Sequence, residues 1–248
     1  MPRQRLKLII SYDGAHFAGW QSQKHGNTVQ DHLERAFRKI TGQPMRIHGA
    51  GRTDSGVHAL AQCAHADVDP NRLSPARWIN ALNASLPRQV RIMRCQIVND
   101  DFHARFSAIG KVYRYRIWSG QIAPPLELGR VWHLPRALDL AVMKTAAGRL
   151  VGRHDFAGFA ANRGRPENDT IRTIRDVSVR RRGDSWTLEF DGDGFLYKMV
   201  RLMVGALTEC GFGRLKAEEF VSRIENGQGK GTRLTAPAEG LYLVRVRY

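Results

Sequence analysis

Apolar residues in this chain switch repeatedly between the alternation of a strand and the wider spacing of a helix, in similar order in each half. Because a strand face and a helix stripe cannot be exchanged for one another, that switching constrains the fold more than any single motif. Residues 6–11 read as a buried strand. Thr28 is then an N-cap for a helix carrying Val29, Leu33, Ala36, Phe37 and Ile40 on one side. A strand over 45–50 delivers the chain into a glycine-rich loop, and 61–68 is the strand that leaves it. Ser74-Pro75 has the chemistry of a helix start, with Trp78, Ile79 and Leu82 as the apolar stripe and Pro87 as the stop, before a strand over residues 90–98.

The second half opens with a strand over 111–118 and a helix over 138–150, followed by strand runs at 174–181 and 186–190 that turn at Gly183-Asp184. Phe195, Leu196, Met199, Val200, Met203, Val204 and Leu207 form a broad helical stripe, 218–224 a shorter helix, and 241–246 a closing strand. The expected fold class is α+β: two similar halves, 1–105 and 106–248, each an antiparallel sheet with helices packed on it, the chain crossing near 99–110.

With 248 residues the chain can bury a large core, and its net charge of +16 points to a polyanionic partner, RNA or DNA first. Cys63, Cys95 and Cys210 are an odd, widely spaced set, read as reduced thiols in the cytoplasm. The early apolar run 6–10 is broken by Lys7 and too short for a signal core or a membrane span.

The loop running from Gly49 through Arg52, Asp54 and Gly56 to His58 holds one carboxylate beside an arginine. Glycine permits close approach of another molecule, and a nearby guanidinium favours an ionised Asp54. Taken alone, Asp54 fits two readings: a structural Asx-turn or a catalytic carboxylate. Arg201 projects off the apolar stripe with Lys198 and Gly205, which suits either a face approached by another backbone or a ligand or a solvated basic face. Tyr113 and Tyr115 share one strand face and Arg114 and Arg116 the other, so the tyrosines either stack on bases or line the core. Residues 101–106 are open in the same way: they either face a nucleic acid, or Phe102 and Phe106 simply anchor a crossing loop and leave His103 and Arg105 exposed. Arg3, Arg5 and Arg180, Arg181 and Arg182 either contact phosphate or form solvated runs.

Spacing excludes several familiar sites. Gly49, Gly51 and Gly56 miss the dinucleotide fingerprint, Gly229-Lys230 lacks the first glycine and the hydroxyl of a P-loop, and residues 191–194 lack the later ligands of a calcium loop. Ser55 is in no nucleophile elbow. His58, Cys63 and His65 do not complete a metal-ligand set, so no metal is expected.

Tyr12-Asp13-Gly14 with Phe17 and Gly19-Trp20-Gln21, the 49–59 loop, Asn83 with Leu86-Pro87, residues 101–107, Tyr113-Arg114-Tyr115, Phe195 with Met199-Val200-Arg201 and Gly205, and Glu239-Gly240-Leu241-Tyr242 occur in an order that resembles the tRNA pseudouridine synthase A family along nearly the whole chain. The resemblance implies a cofactor-free isomerase converting uridine to pseudouridine on the 3′ side of the tRNA anticodon stem-loop, tRNA positions 38–40. It implies two pseudo-symmetric halves joined across a central active-site cleft, a cytoplasmic homodimer and no membrane. By the same match Asp54 is the catalytic aspartate, Arg52 stands beside the flipped nucleotide, Arg201 pairs with Asp54, and Tyr113, His103 and Arg105 belong to the substrate-binding surface. Ser55 stands where alanine is common in the family and sets a hydroxyl near the carboxylate. Attack at ribose C1′, addition to uracil C6 and a glycal route all remain open for Asp54. A non-catalytic RNA-binding module is the alternative that charge and aromatics alone would satisfy.

Overall fold

Burial alternates along Gln4–Tyr12, with Leu6, Leu8, Ile10 and Tyr12 on the covered face. This strand (β1) is the first element of a computed structural model that describes residues 3–24, 26–70, 72–161, 169–225 and 234–248; the Gly229-Lys230 run lies outside them. Two compact units are formed, Met1–Ile109 with Tyr242–Tyr248, and Gly110–Leu241.

In the first unit, helix α1 (Val29–Thr41) starts where its chemistry says it should. The Thr28 side chain accepts the Asp31 N–H, the Asp31 carboxylate accepts the Thr28 N–H, and Gly42 at φ +77° ends the helix. The expected strand over 45–50 is only His48–Gly49 (β2). The backbone of Ile47 is instead bonded to α1, its carbonyl accepting from Gln30 and its N–H donating to Glu34. Strand β3 (His58–Val68) begins earlier than 61. Helix α2 (Pro75–Ser85) is capped by Ser74 and meets α1 through the Phe37 and Trp78 rings, 5.3 Å apart. It packs on β4 (Val90–Val98), where Asn83 bonds both the N–H and the carbonyl of Ile92. β1 lies between β3 and β4, antiparallel to both.

In the second unit, β5 (Gly110–Trp118) pairs with the short strand β6 (Trp132–His133) on one side and with β9 (Ser185–Gly192) on the other. β8 (Ile171–Arg182) and β7 (Gly152–Asp155) continue the sheet, and Gly183 at φ +59° turns β8 into β9. Helix α3 (Leu140–Gly148), capped by Asp139, packs on β8 and on α4 (Met199–Gly211), most of which is buried. The shorter α5 (Ala217–Glu225) follows. Phe195 and Leu196, expected within the helical stripe, precede α4, because Lys198 adopts φ 58° at the N-cap and breaks the helix there.

The last strand, β10 (Leu241–Arg247), returns to the first unit and runs parallel to β3, Tyr242 opposite His58. β5 and β6 are also parallel. The sheets are thus mostly but not purely antiparallel. Both parallel partners are separated by long connections, as parallel pairing requires. No helix among the described residues is long and apolar enough to cross a membrane.

Candidate active site

Asp54 occupies the connection between β2 and β3, partly exposed, on a backbone fastened from several directions. The Gly51 carbonyl accepts from Gln62 Nε2 at 2.9 Å, and the Thr53 carbonyl accepts the Trp20 N–H at 3.0 Å. Thr53 Oγ1 shares a 2.7 Å hydrogen bond with the buried Tyr12 hydroxyl, whose pKa burial pushes up to about 12. The Asp54 carbonyl accepts the Val57 N–H at 3.1 Å, closing a turn in which Gly56 sits at φ +79°. Ser55 Oγ donates to the Phe17 carbonyl at 3.1 Å and so ties the loop to the neighbouring segment, a different task from the one expected beside the carboxylate.

The glycine at the loop's entrance admits protein. A Cβ added at Gly49 would fall 2.5 Å from the Trp20 indole. Gly19, at φ +94°, brings its backbone to where a Cβ would lie 2.7 Å from the Thr53 carbonyl oxygen. Segment 13–20 therefore clamps the loop, and the molecule closely approached at Gly49 is the protein's own Trp20.

Arg52 is exposed, and its Nε donates to Gln21 Oε1 at 3.0 Å. His103 and Arg105 lie on a second loop of the same unit. There Phe102, packed against Ala104, and Ala104 itself are the anchors, not Phe106, and His103 is half-buried while Arg105 is exposed; Ala104 is fully buried, its N–H donating to His65 Nδ1 at 3.1 Å and its carbonyl accepting from the Tyr248 hydroxyl at 2.8 Å. Phe106 is 77% exposed and stacks on the His103 ring at 4.3 Å, with the Arg105 guanidinium 5.6 Å from the centre of the Phe106 ring. Arg5, considered for phosphate, pairs with Asp67 at 2.7 Å and donates to the carbonyls of Asp100 and Phe102. His65 contacts the rings of His48 at 4.9 Å and His103 at 4.6 Å. Burial, then repulsion from those two imidazoles, holds His65 down at about 4, consistent with an Nδ1 that accepts a hydrogen bond.

Tyr113 and Arg201 belong to the second unit. Both tyrosines of β5 are buried. Tyr115 is core, its hydroxyl donating to the Pro237 carbonyl at 2.7 Å. Tyr113 keeps 8% of its surface exposed and meets Phe195 edge-on at 5.1 Å. On the opposite face Arg114 pairs with Glu189 at 2.7 Å and Arg116 with Glu127 at 2.8 Å, so these cations have carboxylates beside them. Arg201 Nε donates to the Ala236 carbonyl at 2.7 Å, and a Cβ on Gly205 would fall 2.0 Å from the Leu234 carbonyl oxygen. Another backbone segment thus covers this side of α4, which excludes the solvated face; Lys198, at the N-cap, is outside the helix.

Sequence reasoning missed the supports: Tyr12, Gln62, Gln21 and Gln30. Their signal was polar atoms at apolar positions, since Gln62 interrupts a buried strand and Gln30 stands between Val29 and Leu33 on the covered side of α1. A buried amide requires partners, and here the partners are the loop and its neighbours.

The model of the family described as tRNA pseudouridine synthase matches residues 8–107 and 146–248. A tRNA pseudouridine synthase A of Acetivibrio thermocellus is 44% identical over 245 residues, spanning 99% of this chain and 100% of the relative. That of Akkermansia muciniphila is 45% identical, spanning 98% and 95%, and that of Solidesulfovibrio magneticus 46% identical, spanning 98% and 91%.

Proposed function

Since the chain belongs to the tRNA pseudouridine synthase family, we propose that it isomerises uridine to pseudouridine on the 3′ side of the tRNA anticodon stem-loop, with Asp54 performing the covalent step. The observation that carries this is the Asp54 loop: a partly exposed carboxylate on a backbone held by Gln62, Tyr12, Trp20 and Phe17. Such fixing keeps a reacting group in position without reorganisation at the moment of reaction.

The reaction breaks the bond from ribose C1′ to uracil N1 and forms one from C1′ to C5; the C5 proton leaves and N1 gains one. Atoms and electrons balance within the nucleotide, so neither a redox carrier nor a metal enters the equation. Each route open to Asp54 begins from its ionised carboxylate, and Arg201 is assigned to pair with it. Removing a paired uridine from its stack costs a few kcal/mol. Tyr113, stacking on the extruded base, and Arg52, filling the vacated space, offset that cost. His103 and Arg105 contact the RNA, with exposed Phe106 as an added stacking surface. The enzyme acts in the cytoplasm as a homodimer.

Mapping pseudouridine in tRNA from a strain deleted for this gene tests the reading. The expected result is loss of pseudouridine at the 3′ side of the anticodon stem and its return on complementation. Unchanged modification there would refute the substrate assignment, and a chain that binds tRNA without modifying it would be an RNA-binding module.

A further inference from the structure

Arg52 ends a directed chain of side-chain hydrogen bonds. Its Nε donates to Gln21 Oε1 at 3.0 Å, Gln21 Nε2 donates to Gln30 Oε1 at 2.8 Å, and Gln30 Nε2 donates to Glu34 Oε1 at 2.8 Å. The backbone sets the direction. Gln30 Oε1 also accepts the Ser22 N–H at 3.0 Å, and Gln30 Nε2 also donates to the Ile47 carbonyl at 3.2 Å. Those two groups can be paired only if the buried Gln30 amide points its oxygen towards Gln21. Gln21 must then turn its nitrogen inward and its oxygen outward, where a guanidinium, which has donors only, is the fitting partner. Glu34 Oε1 receives the Ile47 N–H at 3.1 Å and supplies the anionic end. The two amide dipoles therefore align between a carboxylate and a cation, each bond polarising the next.

We propose that Gln21, Gln30 and Glu34 are positioning residues for Arg52, holding its exposed guanidinium in one orientation beside the Asp54 loop before the nucleotide arrives. The proposal rests on the role given to Arg52 above. An exposed arginine samples many rotamers, and selecting one in advance removes an ordering cost that would otherwise fall on the transition state. The relay also joins the 20–22 segment to α1 and the entrance of β2, so the elements that clamp the loop also orient its arginine.

The test is a double-mutant cycle on full-length protein, with kcat and KM measured on tRNA and Tm on every variant. Gln21→Met keeps length and removes the acceptor. Glu34→Gln keeps an oxygen for Ile47 and Gln30 and removes only the charge. The expected result is a fall in kcat of about tenfold for Gln21→Met and a few-fold for Glu34→Gln, each shrinking to within about twofold when Arg52 is already alanine. Equal falls in both backgrounds would show a structural role and overturn the relay alone. Full activity of Arg52→Ala by itself would overturn the role of Arg52 and the relay with it.

Discussion

His65 shows how a single residue couples protonation to a loop. Its Nδ1 accepts the Ala104 N–H, and burial with two neighbouring imidazoles keeps its pKa at about 4 against 6.5 for a free ring. As the pH falls from 6.5 towards 4, the unfolded chain takes up a proton that the folded one refuses, so this contribution to stability is complete above 6.5 and is lost through that window. Urea midpoints at pH 7 and pH 4.5 are expected to differ less for His65→Gln than for the parent protein; an equal drop in both would contradict the assignment. His65 also shows what a residue-level reading of sequence can and cannot see. Asp54, Arg52 and the tyrosine pair were legible as charge, spacing and strand alternation. The bond from His65 to Ala104 and the exposure of Phe106 were not, because both arise where distant segments meet.

At the level of elements, local rules carried far. Thr28 with Asp31, and Ser74 with Pro75, start α1 and α2 where capping chemistry places them, and the residues 90–98 are the strand their spacing predicts. Expectations departed where nonlocal partners intervened: Ile47 bonds to α1 and shortens β2, and the left-handed Lys198 delays α4 past two apolar residues. Gly205 went the other way. Its helix face was open between the approach of another backbone or a ligand and solvent, and the structure fills it with the backbone at Leu234, 2.0 Å from where a Cβ would stand. Gly205→Ala is expected to cost roughly 1–3 kcal/mol through overpacking, seen as a lower Tm. Gly148→Ala, whose Cβ would meet nothing within 4 Å, is the control and should not lower it. A Gly205→Ala protein as stable as its parent would contradict the close approach.

For the whole molecule, the charge of +16 sets the class of partner and little more. Many of its arginines serve the fold: Arg5 with Asp67, Arg114 with Glu189, Arg116 with Glu127 and Arg175 with Asp191. Basicity draws the polyanion through long-range attraction, while the proposed chemistry rests on one carboxylate in a loop that is fixed on several sides. Binding and catalysis should therefore separate under a single isosteric change. The measurement is pseudouridine formation and tRNA affinity for Asp54→Asn beside the parent protein. Kd is expected within about threefold of the parent and product formation lowered by at least about a thousandfold; turnover at anything near the parental rate would refute the role given to Asp54.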